Sequence, residues 1–538
     1  MTSPSRWTEY RHGWREAEDA LGTGPAGLQY RDLPANVTVL LRDAVQRRPG
    51  APAVRGAGGA LTYRELWDAV LRGAMALRRA GVQVGDRVAL LEPNDIGFAV
   101  WFLATALCGA VAAPLNIRLT ADELGPLVDL AAPRVLVTAP EGEDRAERVR
   151  AGVAGDVAVV ASDAWRETAA GGSGEWPGLR TRGGDGLVLL YTSGTTGSPK
   201  AAWLTQRNVL TSVETYRRVF RLTAADRTLV VVPLFHVTGL VGQWLAMLRV
   251  GGEAVFMARY GEDALRDQLQ TQGITFLFAV PTILVRLLGR SARAGEAVPA
   301  LRLVASGGAA LPPTAVERWR TAFPHAQLFN TYGMTEVSSP ATILPAGEEA
   351  AKPGSCGYPV PAASLRLVRP ADGEDVGPGE AGELWIRGPM VMSGYFRHAE
   401  ATRRALSDGW LRSGDLARCD PDGAFYVLDR IKDLINRGGE KIVGAEVEQV
   451  VQSHPDVLEA AVVGVADPEW GEQVGAAVVW IRDASSDFER LRRWSREHLA
   501  AYKIPTRWAA VSALPRNANG KVDKRAVRDL LIAAGDPR

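Results

Sequence analysis

Between residues 186 and 333 short apolar runs alternate with helix-length segments, and no other feature constrains the fold as tightly. The runs are GLVLLYTS (186–193), TLVVVPLF (228–235), EAVFM (253–257), TFLFAV (275–280), LRLVAS (301–306) and AQLFNTYG (326–333). Helical spacing fills the intervals from about Arg207, around 241–248, from 262, and at 282–289 and 313–321. A strand apolar on both faces must be covered on both faces, and a helix between successive strands makes them parallel. DRVALLEP (86–93) and PRVLVTAP (133–140) extend the pattern upstream, with helices expected over 37–48 and 61–81. Thr62 and Glu65 have the spacing of a reciprocal helix cap, and Gly81 is placed as a stop.

The uncharged stretch 96–115 is long enough to span a bilayer. Gly109 and Pro114 break it and no second span accompanies it, so it reads as a buried helix over 96–108 and a strand at 110–113. Residues 1–35 read as an irregular arm, and 141–187 as polar, glycine-rich loops. From 355 to 430 short strands with Gly and Pro turns replace the alternation, as in an antiparallel barrel or sandwich. Past Arg430 a third pattern begins, with a helix at 445–453, strands at 459–465 and 474–481, and a helix at 487–499. The expected fold class is α/β. A large N-terminal domain over 1–430 holds parallel α/β subdomains and a small β-barrel-like part, and a small α+β C-terminal domain covers 431–538.

Charge argues against one class of function. The 62 Lys and Arg are balanced by 61 Asp and Glu, so no global positive field holds a nucleic-acid backbone. Cys108, Cys356 and Cys419 make no disulfide framework, and the N-terminus lacks the apolar core of a secretory signal. A cytoplasmic protein with no membrane span is expected. Seven of the 62 basic residues are Lys. Where Lys occurs in so Arg-rich a chain, it offers a compact point charge that Arg's planar fork does not.

YTSGTTGSPK (191–200) places Thr192, Ser193, Thr195 and Thr196, with Gly194, Gly197 and Lys200, directly after an apolar strand. Glycines let backbone N–H groups converge on an anion, hydroxyls add donors and Lys200 adds charge, which suits a polyphosphate. The spacing matches neither the Walker loop nor the dinucleotide fingerprint. On composition alone a flexible surface loop fits as well.

The loop resembles the signature of the adenylate-forming superfamily, which includes acyl- and aryl-CoA synthetases, free-standing adenylation domains and firefly luciferase. PLFHVTG (233–239), ASGGAALP (305–312), NTYGMTE (330–336), GELWIRGPMVMSGY (382–395), DGWLRSGD (408–415), DRIKDLINRGGEKI (429–442) and PRNANGKVDK (515–524) follow in that family's order. The resemblance implies an enzyme that joins a carboxylate to AMP, using ATP and Mg²⁺. Thr192 to Gly197 and Lys200 would cover the β- and γ-phosphates. Tyr332 would stack beside adenine with Gly307, Gly308 and Ala309 on its other face, in a nucleotide segment that includes Asn330 and Gly333. Thr335 would touch the α-phosphate and Glu336 would hold the metal. Asp415 and Arg430 would reach the ribose, and Lys521 would bridge the substrate carboxylate and the α-phosphate. Lys432 matches the hinge about which the C-terminal domain rotates. Lys521 then leaves and Gly438 and Gly439 give close approach for a pantetheine arm. Taken singly, Asp415 also fits a turn and Glu336 a helix N-terminus.

His236 resembles a pocket-lining or gating His of the acyl-CoA synthetases. It stands with the expected catalytic residues Lys521, Thr335 and Glu336 but not as a base, since a carboxylate is already ionised near neutral pH. His12, His325, His398, His454 and His498 show no metal spacing. Phe235, Val237, Leu240, Val241, Gly307, Gly308, Met334 and Val337 would form the other, mostly apolar walls. A pocket for an α-amino acid would need an acidic partner for the ammonium, and the family's Asp for that purpose is replaced by His236.

The expected activity is activation of a hydrophobic aliphatic or aromatic acid as acyl-AMP, then transfer to the thiol of coenzyme A. The alternative is a stand-alone adenylating enzyme of secondary metabolism whose acceptor is a carrier-protein pantetheine, an amine or another small nitrogen nucleophile. A non-catalytic binding protein is disfavoured by the presence of Glu336, Asp415, Arg430 and Lys521. The expected partners are a small carboxylic acid and, under the alternative, a carrier protein, with the chain a monomer or homodimer. Two departures stand out. AAWLTQ (201–206) replaces the family's Gly-Val and Leu-Thr-His, bringing in Trp203 and Gln206, and Asn436 stands where several acyl-CoA ligases carry Lys.

Overall fold

The computed structural model describes residues 14–24, 27–168, 181–192, 199–291, 298–309, 311, 313–481, 487–517 and 521–534. The chain divides into two compact units, one of Met1–Leu365 with Ile386–Arg412 and one of Arg366–Trp385 with Ser413–Arg538.

Two large sheets build the first unit. In the nine-stranded sheet the order is Tyr358–Pro359, Ser339–Leu344, Gln327–Met334, Leu303–Gly307, Phe276–Ala279, Arg227–Val230, Glu253–Phe256, Pro52–Gly56 and Gly59–Thr62. Its middle strands run parallel, with Leu303–Gly307 pairing Phe276–Ala279 on one side and Gln327–Met334 on the other. Phe276–Ala279 and Leu303–Gly307 are buried at every residue, which is why they read as unbroken apolar runs. The seven-stranded sheet is ordered Gly394–Tyr395, Lys200–Thr205, Gly186–Thr192, Val111–Pro114, Arg87–Leu91, Val135–Thr138 and Ala158–Ala161. A seam of aromatic rings joins the two sheets. The helix Ile96–Leu107 buries Phe98 and Phe102, whose ring centroids lie 6.1 Å and 5.4 Å from that of Trp244. Among the described residues no helix is long and apolar enough to cross a membrane. The apolar stretch is thus the helix Ile96–Leu107 followed by the strand Val111–Pro114.

Capping fixes several helix starts. Thr62 and Glu65 form the expected reciprocal cap of Tyr63–Arg79. Thr205 and Asn208 do the same for Gln206–Val219. Gln206 points elsewhere: its Oε1 accepts from the Val37 N–H at 2.9 Å, holding the first turn of helix Val37–Arg47.

Four local expectations are corrected. The arm before residue 36 contains a helix at 14–19 and a hairpin, Leu21–Gly24 with Gly27–Tyr30, anchored by buried Tyr30, whose hydroxyl bonds Thr215 Oγ1 at 2.9 Å. The polar stretch 141–187 contains helix Glu143–Gly152, which buries only Ala146 and Val149, and strand Ala158–Ala161. So thin an apolar stripe leaves little periodicity to read. The glycine-rich loop leads into a strand, Lys200–Thr205, before the helix. The stretch 355–430 does not stay in one barrel. It supplies Ala381–Arg387, Trp410–Cys419 and Phe425–Arg430 to a five-stranded sheet, but Tyr358–Pro359 and Gly394–Tyr395 edge the two large sheets.

In the second unit a sheet runs in the order Glu440–Ile442, Ile435–Arg437, Gly471–Trp480 and Val457–Asp467, with Arg507–Ala510 parallel to Gly471–Trp480. Alternation along Val457–Asp467 sends Ala460 and Val462 to one apolar cluster with Val447, Leu491 and Trp508. Ala461, Val463 and Val465 turn to the opposite cluster with Val527 and Leu531.

Two predictions concern stability. Gln206→Leu orphans the buried Val37 N–H, so a loss of about 1–3 kcal/mol in denaturant unfolding is expected. Buried Glu92 accepts a hydrogen bond from Ser162 Oγ at 2.8 Å, but burial, aided by Asp95 and Glu141, pushes its pKa from 4.5 up to about 8. The native state therefore keeps a proton that the unfolded chain releases, and this site favours folding progressively less as pH rises from 4.5 to about 8. Glu92→Gln should remove that slope and be the more stable protein at about pH 9, by more than ~1 kcal/mol in urea titrations.

Candidate active site

The carboxyl ends of parallel strands are where an open α/β sheet collects functional groups. In the first unit Gly307 ends the buried strand Leu303–Gly307 and Gly308 and Ala309 follow it, while Asn330, Tyr332 and Gly333 lie within its neighbour Gln327–Met334. Asn330 Nδ2 donates to the Ser355 carbonyl at 2.7 Å, and Thr331 Oγ1 to the Ser306 carbonyl at 2.9 Å. Gly333 is a steric requirement: a Cβ there would sit 1.5 Å from the Ser339 carbonyl oxygen. Thr335 and Glu336 open the short 3₁₀ turn Thr335–Val337 that follows.

Lys200 and Glu336, 136 positions apart in the chain, come together through a residue the motif reading left without a role. Tyr395 donates its hydroxyl to Glu336 Oε1 at 2.8 Å, and Lys200 Nζ lies 5.7 Å from the centroid of the same ring. The segment 389–396 that carries Tyr395 is bonded along its length. Asn208 Nδ2 donates to the carbonyls of Pro389 and Val391 at 2.7 and 2.8 Å, and Ser338 Oγ to that of Met390 at 2.9 Å. The Met392 N–H bonds the Glu336 carbonyl and the Ser393 N–H that of Trp203. Trp203, bulky where the family pattern is small, stacks on Phe396 with centroids 5.2 Å apart and planes inclined by 18°. Thr192 stands opposite Lys200 in the antiparallel ladder. The expected phosphate-loop residues Ser193, Gly194, Thr195, Thr196 and Gly197 lie outside the described residues.

Glu336 forms no ion pair among the described residues, and among them no group of three or more His, Cys, Asp or Glu is arranged to hold a metal ion. A half-buried carboxylate that accepts from a neutral phenol is a hard oxygen donor suited to Mg²⁺, which takes one or two carboxylates and completes its shell with water and phosphate.

His236 is half-buried just past the strand Arg227–Val230, its ring centroid 4.6 Å from that of Phe235. Asn94 holds this corner, its Nδ2 donating to the carbonyls of Val230 and Val232 and its Oδ1 accepting from the Leu234 N–H at 2.8 Å. The helix that follows, Thr238–Leu245, is a π-helix, a widened form found chiefly at functional sites. Leu240, Val241 and Val337 are buried, and Phe235 and Val237 are nearly so. A cavity of about 450 Å³ opens elsewhere, at the amino ends of the strands among Arg217, Arg218, Arg221 and Arg302. It meets none of the expected residues, and three of those guanidinium groups are paired with Glu214 or Asp226.

The remaining expected residues belong to the second unit. Asp415 and Arg430 face each other across two paired strands, with Arg430 Nε 3.1 Å from Asp415 Oδ1. Asp415 is buried and Arg430 half-exposed. Burial, with Arg430 and Lys524 nearby, lowers the pKa of Lys432 against the pull of Asp433 and Asp415. Gly438 and Gly439 turn the hairpin Ile435–Arg437/Glu440–Ile442 with φ of 60° and 97°. The Gly438 N–H bonds the Trp470 carbonyl, and a Cβ on Gly438 would strike the exposed Trp470 ring at 2.7 Å. Lys521 is exposed, and its backbone N–H donates to Asn517 Oδ1 at 3.1 Å.

The chain is similar to known proteins over most of its length. The AMP-binding enzyme model matches residues 41–396 and the AMP-binding enzyme C-terminal domain model residues 446–521. A feruloyl-CoA synthase of Amycolatopsis sp is 38% identical over 481 residues, 89% of this chain and 96% of that protein. An oxalate–CoA ligase of Arabidopsis thaliana is 35% identical over 508 residues, 91% and 97% of the two chains. The structure of o-succinylbenzoate coenzyme A synthetase from Bacillus subtilis, in complex with ATP and magnesium ion, superposes with a TM-score of 0.81 at 31% identity, covering 91% of this chain and 99% of that one. The chain therefore belongs to the AMP-binding enzyme family, as an AMP-forming acid–CoA ligase.

Proposed function

We propose that this enzyme activates a hydrophobic aliphatic or aromatic carboxylic acid and passes it to coenzyme A. The observation that carries the reading is the Lys200–Tyr395–Glu336 constellation, in the same unit as an apolar, His236-containing corner. A carboxylate oxygen attacks the α-phosphorus of ATP, the bond to the bridging oxygen breaks, and pyrophosphate leaves. The thiol sulfur of coenzyme A then attacks the acyl carbon, its proton is lost to solvent, and AMP leaves.

The barrier in the first step is charge: an anion must approach a polyanion. Lys200 and Thr192 would sit against the terminal phosphates, and Glu336, oriented by Tyr395, would hold Mg²⁺. The bound cation would screen the negative charge that builds on the phosphate oxygens. Thr335, Asn330, Tyr332, Gly333 and the Gly307–Gly308–Ala309 turn would line the nucleotide, with Asp415 and Arg430 on the ribose. Lys521 would supply a point charge where both reacting groups are negative. Lys432 as hinge, and Gly438 and Gly439 as the approach for the thiol arm, belong to the second step. His236 and its neighbours would line the acyl group. No acidic residue occurs between 233 and 241, which supports an acid without an α-amino group. Relatives named for feruloyl and oxalate span an aromatic acid and a small diacid, so the choice of acid rests on the apolar lining.

Pyrophosphate release across a panel of aliphatic, aromatic, dicarboxylic and amino acids tests the reading. Hydrophobic acids should give the highest rates, and product masses with coenzyme A, a phosphopantetheinyl carrier protein or amines should show the CoA thioester. Preference for amino acids or small diacids would overturn the choice of acid, and a carrier- or amine-linked product the choice of acceptor. Lys521→Ala should slow acyl-AMP formation more than about a hundredfold while leaving ATP affinity near that of the parent, as expected for a group acting on the transition state. Equal rates in single-turnover assays would remove Lys521 from the mechanism.

A further inference from the structure

We infer that Asp429 and Lys524 form a latch across the Lys432 hinge, and that opening it sets how the enzyme divides its time between its two chemical steps. The inference rests on the proposed hinge and on the two-step reading.

Asp429 is the penultimate residue of the strand Phe425–Arg430, three positions before Lys432. Its carboxylate is buried and fully engaged. Oδ1 accepts from the Arg430 N–H at 2.8 Å and lies 3.6 Å from Lys524 Nζ. Oδ2 accepts from the Ala445 N–H at 3.2 Å, in the first turn of helix Gly444–Gln452. One carboxylate thus closes the loop 430–445, which contains both Lys432 and the Gly438–Gly439 turn. Arg430 precedes the hinge, whereas Ala445 and Lys524 follow it. A rotation at Lys432 carries everything after it away from everything before it, so the bond to Ala445 and the pair with Lys524 must both break.

Each partner keeps something when they do. Asp429 retains the Arg430 N–H. Lys524 retains Glu448, whose Oε1 lies 3.8 Å from Nζ, on the same side of the hinge, and is fixed by the Val462 N–H at 2.8 Å. Neither charge is stranded, which separates a contact built to open from a buried ion pair whose loss would unfold the domain. Lys524 is also one of seven lysines in this Arg-rich chain. A single ammonium can change partners between carboxylates, where a guanidinium fork would hold both. Lys524 is then a positioning residue. It heads the helix Lys524–Ala533, three residues after Lys521, so the latch fixes the start of the segment that bears the proposed catalytic lysine.

The test uses the full-length enzyme with Lys524→Met, and Asp429→Asn as a second variant. Trypsin cleavage after Arg430 or Lys432, without substrates, should speed up at least fivefold while the melting temperature stays within about 3 °C of the parent. Acyl-AMP formation and thiol transfer from preformed acyl-AMP, measured in separate single-turnover assays, should change in ratio by at least about fivefold. Lys524→Arg should restore slow cleavage but not the parental ratio, because the fork releases poorly. Unchanged cleavage overturns the latch whatever the activity, as does an equal change in both steps. Faster cleavage in an enzyme that forms no acyl-AMP with any acid leaves the latch standing and overturns the functional reading beneath it.

Discussion

Strand Lys200–Thr205 is hydrogen-bonded on both edges, and the candidate chemistry depends on that double constraint. On one side it pairs antiparallel with Gly186–Thr192, and on the other with Gly394–Tyr395. A strand paired on both sides can neither slide nor twist without breaking two ladders. Its first residue, Lys200, and the ring of Tyr395 beside it are therefore set by backbone geometry, not by the reach of their own side chains. Glu336 joins them through a bond from the phenol and through the Met392 N–H, which holds its backbone. A cation and an anion are thus placed in advance of any ligand, and preorganisation of this kind lets a site act on charge without first rearranging.

The α/β class was legible because the central strands are buried on both faces and so cannot carry polar residues. The proposed site residues rest on motif order; of those within the described residues, Gly307 ends a strand and Gly438 and Gly439 form a tight turn, whereas Asn330 and Asp415 lie within strands. What escaped was whatever depends on partners far away in the chain. KAAWLT alternates too weakly to announce a strand, and its strand character comes from neighbours on both sides. Gln206 looked like a lost histidine, yet its bond to Val37 spans 169 positions. Tyr395 closes the 382–395 segment with nothing local to mark it, since its partner, Glu336, lies 59 residues earlier. Asn94 gave no signal at all. A lone Asn after a strand is ordinary until three backbone groups, at Val230 and in the segment that follows it, converge on it.

The two kinds of cation are used differently. Arginines surround carboxylates that stay put. Buried Glu214 is gripped by Arg217, Arg218 and Arg249, and Asp226 takes Arg302 through both oxygens. Burial alone would raise the pKa of Glu214, but the guanidinium groups hold it below its usual range, so it remains charged inside the unit. Lysines appear where one charge meets a ring or several acceptors, as Lys200 does over Tyr395 and Lys524 between Asp429 and Glu448. Forked guanidinium groups suit fixed architecture, and point charges suit places where partners exchange.

The π-helix at Thr238–Leu245 ties the His236 corner to the cohesion of the unit. Its wide turn begins two residues after His236 and ends on the turn that carries Trp244 into the aromatic seam between the sheets. Removing one residue to restore an ordinary α-helix would swing Trp244 through roughly a quarter-turn, out from between Phe98 and Phe102. The His236 corner and the joint between the two sheets are thus one continuous piece of backbone. An insertion or deletion within Thr238–Leu245 therefore shifts the corner and the seam together, whereas a side-chain exchange leaves the length of the helix, and with it the place of Trp244, unchanged.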